Sequence, residues 1–173
     1  ETLIGIAQSY QEKRQDILDQ AEQLVKHLEQ ANSFGIAKAT SFQIPFEEKF
    51  TRKHTEQILE NMLSAADSQW GGFGRAPKFP QTFTIQYLLR HYHFYGDKQA
   101  LKQATLSLDK MILGGIYDQA GGGFARYSTD TEWLAPHFEK MTYDNALLVS
   151  VLAEAFQLTK DPLYAETIKH TLA

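Results

Sequence analysis

Arg126, His137, Glu139, Lys140 and Asp144 fall within one stretch, Gly121 to Asp144, that separates two helical patterns. Connections this long are functional or disordered. Disorder needs few aromatics and little apolar mass, whereas Phe124, Tyr127, Trp133, Phe138 and Tyr143 are interleaved with the charges here. Aromatics order the segment, and charges then project from an ordered surface. A histidine beside two carboxylates suits proton transfer, with His137 as general base and Glu139 or Asp144 to orient it. Arginines at positions 75 and 126 suit a developing oxyanion. Other chemistries fail on context. Gly121-Gly122-Gly123 follows no predicted strand, so it is no dinucleotide loop. His137-Phe138-Glu139 resembles the deaminase pair, but the chain has no cysteine to complete that zinc site. The six histidines are dispersed, so neither a metal nor another cofactor is expected.

The elements that must position these residues read as helices. Ile17, Leu18, Ala21, Leu24, Val25 and Leu28 recur at helical spacing over Ser9 to Ala31, and residues 1–8 read as a linker or the start of that helix. Asn32 to Gly35 caps it, 36–45 connect, and a second helix covers Phe46 to Ala66 on Phe50, His54, Ile58, Leu59, Met62 and Leu63. Three glycines and two prolines between Gly71 and Pro80 break any helix there. A third helix spans Thr82 to Tyr95, and Gly96-Asp97 reads as its C-cap and the next N-cap. The fourth covers Lys98 to Leu113, the fifth Thr142 to Leu158. Asp161-Pro162 opens a sixth on Ala165, Ile168 and Leu172.

A repeat runs through this order. Gly71-Gly72-Phe73-Gly74-Arg75 matches Gly122-Gly123-Phe124-Ala125-Arg126 at an offset of 51. Each copy follows a helix and an aspartate, Asp67 or Asp118, and each leads to a proline and a phenylalanine. Short turns alternate with these long loops, so antiparallel helix pairs deliver both loops to one end. An open solenoid or an α/α toroid satisfies that pattern. Glycine at a crowded inner mouth favours the toroid. Six helices are about half of the twelve in a six-hairpin toroid, so the expected fold class is all-α: a single helical domain, residues 1–173, forming part of a larger ring.

Gly71 through Pro80, and the run from Gly121 to Asp144 with Pro136-His137-Phe138-Glu139-Lys140-Met141, resemble the thioredoxin-like/six-hairpin family, which includes the spermatogenesis-associated thioredoxin-like proteins and their bacterial relatives. The resemblance implies a thioredoxin-like domain elsewhere in a full-length chain, followed by a toroid similar to N-acylglucosamine 2-epimerases and six-hairpin glycosidases. It implies the fold and a carbohydrate-type site at the loop end rather than a settled reaction; for sugar epimerisation there, the residues themselves make His137, Glu139 and Asp144 the catalytic candidates. Arg75, Lys78, Phe79, Arg126, Tyr127, Trp133 and Lys140 would bind substrate, the aromatics by stacking on a sugar face. Glycoside hydrolysis is the second enzymatic reading and needs two carboxyls about 5–9.5 Å apart. Asp118, Asp130, Glu132, Glu139 and Asp144 supply candidates. With one histidine in the loop, a second base has to come from outside the chain, so these residues alone are not expected to turn over. Two further readings are a non-catalytic helical-repeat module that binds a protein or sugar beside the redox domain, and a polar network that merely locks the loop onto the helix ends.

The totals are consistent with either class. A net charge of -4 leaves no footprint for nucleic acid. No apolar run approaches the roughly 18 residues of a membrane span. A basic-then-apolar leader is also lacking, so a cytoplasmic location is the expectation. A half-ring exposes inner helix faces, which leads to an expected homodimer.

Overall fold

The computed structural model describes residues 2–32 and 51–173. The expected cap at 33–35, the connection 36–45 and the first turn from Phe46 lie outside the described residues. Where the composition leads to one domain, the chain divides into two compact units, Glu1–Ile58 and Leu59–Ala173. In the first, α1 (Thr2–Glu12) and α2 (Arg14–Asn32) replace the single helix expected from Ser9. Residues 2–8 are thus helical, as in the second of the two expected readings. Backbone bonds Lys13 N–H to Ser9 O and Ile17 N–H to Lys13 O, at 2.9 and 3.0 Å, carry the ladder through the bend. Leu18, Leu24, Val25 and Leu28 of α2 are exposed.

Helix α3 (Arg52–Ser64) leads into the second unit, whose other helices are α4 (Thr82–Tyr95), α5 (Lys98–Leu113), α6 (Thr142–Thr159) and α7 (Pro162–Leu172). Their ends follow local rules. Gly96, at φ 73°, donates its N–H to Tyr92 O and stops α4, a backbone conformation only glycine adopts freely. Asp97 then accepts from the Gln99 and Ala100 N–H groups and starts α5. Asp161 accepts from Leu163 N–H, with Pro162 at the first helical position of α7.

Ile85, Leu88 and Leu89 of α4, Ala104, Leu108 and Met111 of α5, and Leu148, Leu152 and Ala155 of α6 are fully buried. Helix α7 buries Tyr164 and Thr167 rather than the expected Leu172, which is exposed. Its face is set by the Tyr164 hydroxyl, which donates to Asp109 Oδ1 on α5 at 2.7 Å. On the other side, Glu154 of α6 accepts from Gln86 and Arg90 of α4 at 2.6 and 2.8 Å. These bonds hold the two antiparallel hairpins, α4–α5 and α6–α7, against each other. The loop between them holds a short antiparallel pair, β1 (Tyr127–Ser128) and β2 (Pro136–His137), with Tyr127 opposite His137.

Candidate functional site

The two glycine-rich loops have one structure, built twice. Asp67 Oδ1 accepts from Gln69 and Trp70 N–H, and Asp118 Oδ1 accepts from Ala120 and Gly121 N–H. Gly71 N–H donates to Asp67 O, and Gly122 N–H to Asp118 O, both at 2.9 Å. Asp67 N–H donates to Gly72 O and Asp118 N–H to Gly123 O. Ala66 bridges Phe73 as Tyr117 bridges Phe124. A lysine then closes each turn: Lys78 Nζ lies 2.7 Å from Asp67 Oδ2, and Lys140 Nζ lies 2.6 Å from Asp118 Oδ2. Gly71, Gly72, Gly121, Gly122 and Gly123 all sit against neighbouring atoms, whereas Gly74 faces open space. A Cβ on Gly71 would meet the Ser107 backbone of α5 at 2.6 Å, and one on Gly122 would overlap the His170 carbonyl of α7.

The loops meet at one rim. Lys78 and Ser128 exchange backbone hydrogen bonds at 2.8 and 2.9 Å. Lys78 Nζ also donates to Thr131 O, and the Trp133 indole N–H donates to Trp70 O at 2.9 Å. Trp133 has φ 66°, rare for a bulky residue. Asp130 holds it there: its carboxylate accepts from the Glu132, Leu134 and Ala135 N–H groups, a cage around the tryptophan backbone. Asn145 fastens the second loop to α6, accepting from Phe124 N–H and donating to Phe124 O. Asn145 carries no charge and sits in a helical pattern, so its type did not mark it.

This geometry corrects two expected ligand contacts. Lys78 and Trp133 are both wholly buried, with the Lys78 ammonium 5.3 Å from the indole centroid. Neither presents surface to a sugar. Lys140 turns away from His137 toward Asp118 and Gly122 O. Among the hydrolysis candidates, Asp118 and Asp130 are occupied in holding turns.

The remaining residues gather on β1, β2 and the start of α6. The Phe79 and Tyr127 rings lie 4.9 Å apart, and the His137 ring stacks on Tyr127 at 4.7 Å and 16°. Phe79, His137 and Glu139 are exposed. Glu139 Oε2 accepts from Arg126 Nη1 at 3.1 Å and lies 4.0 Å from His137 Nδ1. Arg126 N–H also donates to Glu139 O at 2.8 Å, tying the strand ends together. Asp144, in the first turn of α6, keeps Oδ2 buried without a hydrogen-bond partner. Burial pushes its carboxyl above the ordinary range, Arg126 opposes this, and Glu139 adds to it. Arg75 is exposed on the first loop.

The turn carboxylates behave oppositely. Burial raises Asp67 and Asp130, but the Lys78 bond with Trp70 and Gln69 N–H for one, and the Ala135, Leu134 and Glu132 N–H groups for the other, outweigh it. Asp118 is held low by Lys140, then by Gly121 and Ala120 N–H. A depressed carboxyl stabilises the fold above its unfolded value and loses that contribution as the pH falls through the folded one. Tryptophan fluorescence should therefore report loosening of the loops as the pH drops below the ordinary 3.8. Asp144 has the reverse sign, so Asp144→Asn should raise the urea midpoint at neutral pH and leave it unchanged below 3.8. An unchanged midpoint at both would remove the strain assigned to that carboxyl.

No family model matches the chain. Over 120 residues, 67% of its length, it is 41% identical to spermatogenesis-associated protein 20 of Mus musculus, of which it spans 15%. Its fold is similar to a sugar epimerase from a ruminal bacterium, with TM-score 0.61 and 16% identity over 69% of this chain and 35% of that one. The cellobiose 2-epimerase of Bacillus thermoamylovorans gives TM-score 0.58 at 15% identity with the same coverage. At such identities the likeness is one of fold, the α/α toroid. From the sequence match and the paired hairpins together, the chain belongs to the spermatogenesis-associated protein 20 family and folds as part of an α/α toroid.

Proposed function

We infer that the row Phe79–Tyr127–His137, its two outer rings exposed and Tyr127 half-buried between them, flanked by Arg126, Glu139 and Asp144, binds an aldose and that His137 abstracts the proton next to its carbonyl. One observation carries this reading: a single Glu139 oxygen serves both Arg126 and the Nδ1 side of His137, at 3.1 and 4.0 Å. A carboxylate on that side favours a proton on Nδ1 and leaves Nε2 as the base. Such contacts tighten in the substrate complex. Stacked aromatic rings offer the flat apolar face that a pyranose needs, and Arg126 is placed to steady the enolate oxygen. Breaking the C–H bond sends its proton to His137. Inversion then requires an acid on the opposite face, which belongs to another part of the ring. The toroid likeness to sugar epimerases supports this assignment.

The test uses the polypeptide carrying the whole ring, incubated in deuterium oxide with aldoses and acylated amino sugars. Exchange at the carbon next to the carbonyl is expected. His137→Gln should slow it by about 10²–10⁴-fold, the usual share of a positioned base, without changing the unfolding midpoint. Exchange undiminished in that variant would remove His137 from the chemistry. Saturable sugar binding with no exchange in any variant would favour the binding-module reading, which the mutual satisfaction of Arg126 and Glu139 supports.

A further inference from the structure

The internal duplication contains its own template for a contact made once within the chain. In the first copy, the Asp67–Lys78 pair is sealed by the loop that follows it in sequence. The Trp133 ring lies so close over Gly72 that a Cβ there would meet it at 2.5 Å. Its indole donates to the Trp70 carbonyl, and its face covers the Lys78 ammonium at 5.3 Å. Thr131 O supplies the second acceptor for Lys78. The lysine is 0% exposed and the aspartate 21%. Trp70, Gly72 and Lys78 thus form a socket for one aromatic side chain.

By the hydrogen-bond equivalences, the same three places in the second copy are Gly121, Gly123 and Lys140. These line an open cleft of about 590 Å³, together with Asn145, Val149 and Leu172. The Asp118–Lys140 pair beside it is 39% and 43% exposed. Lys140 takes its second acceptor from its own loop, the Gly122 carbonyl, where Lys78 takes one from the next. Thr171 Oγ1 at the cleft is buried without a hydrogen-bond partner. The turn, the lysine and the glycine are repeated; where the Trp133 ring covers Gly72, only the Asn145 amide and the Lys140 stem lie against Gly123, and no ring covers it.

We propose that this cleft receives an aromatic side chain, with a neighbouring backbone carbonyl for Lys140, from the long loop of a third copy of the helix-pair unit. Several features select that occupant. The chain spans 35% of the toroid it resembles and 15% of its relative, so further units exist in proteins of this kind. A cation beside a flat glycine floor fits a π face rather than another cation. Donation of one loop to the preceding turn is the contact already seen between the two copies present. The arrangement makes each Asp–Lys turn a latch closed by the unit after it, so that register passes from hairpin to hairpin. A weak contact suffices, because a segment linked in the same chain acts at millimolar effective concentration.

The chain supplies its own probe. A synthetic peptide of residues 128–136, Ser-Thr-Asp-Thr-Glu-Trp-Leu-Ala-Pro, carries the sealing loop. Titrated into the isotopically labelled 173-residue chain, it should shift the Gly121 and Gly123 amides and the Lys140 ammonium saturably, and leave Gly71, Gly72 and Lys78 in place. The peptide carrying Trp133→Ala should bind at least about ten-fold more weakly, the loss expected when a cation–π contact and its apolar area go. Absence of shifts up to about 10 mM peptide would overturn the proposal, since that is weaker than linkage can rescue. Equal shifts with both peptides would also overturn it, as would shifts centred on the α4–α6 face. Sedimentation covers the remaining occupant. Should Gly121 and Gly123 shift on dilution with dissociation of a dimer, and ignore the peptide, the cleft is a contact between copies and the proposal fails.

Discussion

Lys78→Ala is expected to lower the unfolding free energy by about 3–5 kcal/mol, the cost of breaking a buried ion pair by removing one member. Lys78 is wholly enclosed, and its ammonium serves Asp67 Oδ2 at 2.7 Å and Thr131 O at 2.8 Å. Losing it leaves a carboxylate and a carbonyl without their donor. The carboxylate retains Gln69 and Trp70 N–H and some solvent, which places the cost toward the lower end of that range. Lys78→Met keeps most of the stem's packing, so the gap between the two variants isolates the charge. Urea unfolding followed by tryptophan fluorescence is the measurement. Both tryptophans, Trp70 and Trp133, sit in the unit Leu59–Ala173, so the signal reports that unit alone. A loss below about 1 kcal/mol for Lys78→Ala would mean the pair only breaks even against water, contrary to this account.

Trp133→Ala should cost about as much, 3–5 kcal/mol, for a different reason. The indole is fully buried against Gly72 and Lys78, and its removal opens a cavity under both loops. Part of the loss is offset at the backbone by choosing glycine. Residue 133 has φ 66°, where alanine is strained and glycine is not, so Trp133→Gly should be no more damaging than Trp133→Ala despite its extra chain entropy. A double-mutant cycle with Lys78→Met should show coupling of about 0.5–3 kcal/mol, because each side chain is the other's wall. Additive losses would show that the ammonium and the ring do not recognise each other. The same anchor supports the exposed site. With Trp133 gone, β1 and β2 lose their attachment to Trp70, so the sugar binding proposed at Tyr127 and His137 should weaken even though neither residue is altered.

These outcomes depend on residues whose types were visible and whose directions were not. Lys78 and Trp133 have the chemistry of ligand-binding groups, and a lysine is among the residues least often buried. Nothing local marks Lys78 as the partner of Asp67, 11 positions earlier, or Trp133 as the donor to Trp70, 63 positions earlier. Those pairings form only when the loops close on one another. Asp130 is similar: by type it is one of five carboxyl candidates for hydrolysis, yet the cage of three N–H groups it accepts from is defined only by the folded loop. Asn145 carried no signal at all, since an amide in a helical pattern becomes a clamp only where a glycine turn lies against it.

By itself the sequence determined the helical hairpins and the shared rim. Gly96-Asp97 and Asp161-Pro162 end and begin helices through contacts within four residues, and the Gly-Gly-Phe duplication carries its turn geometry within each copy. Local hydrogen bonding and steric limits suffice for these, so they can be read along the chain. Tertiary structure decided which charges are buried and which stay exposed: Lys78 is enclosed beneath Trp133, while Lys140 on Asp118, Arg126, His137 and Glu139 are left at the surface. Burial is a property of what covers a residue, and here each covering group comes from a different loop or helix.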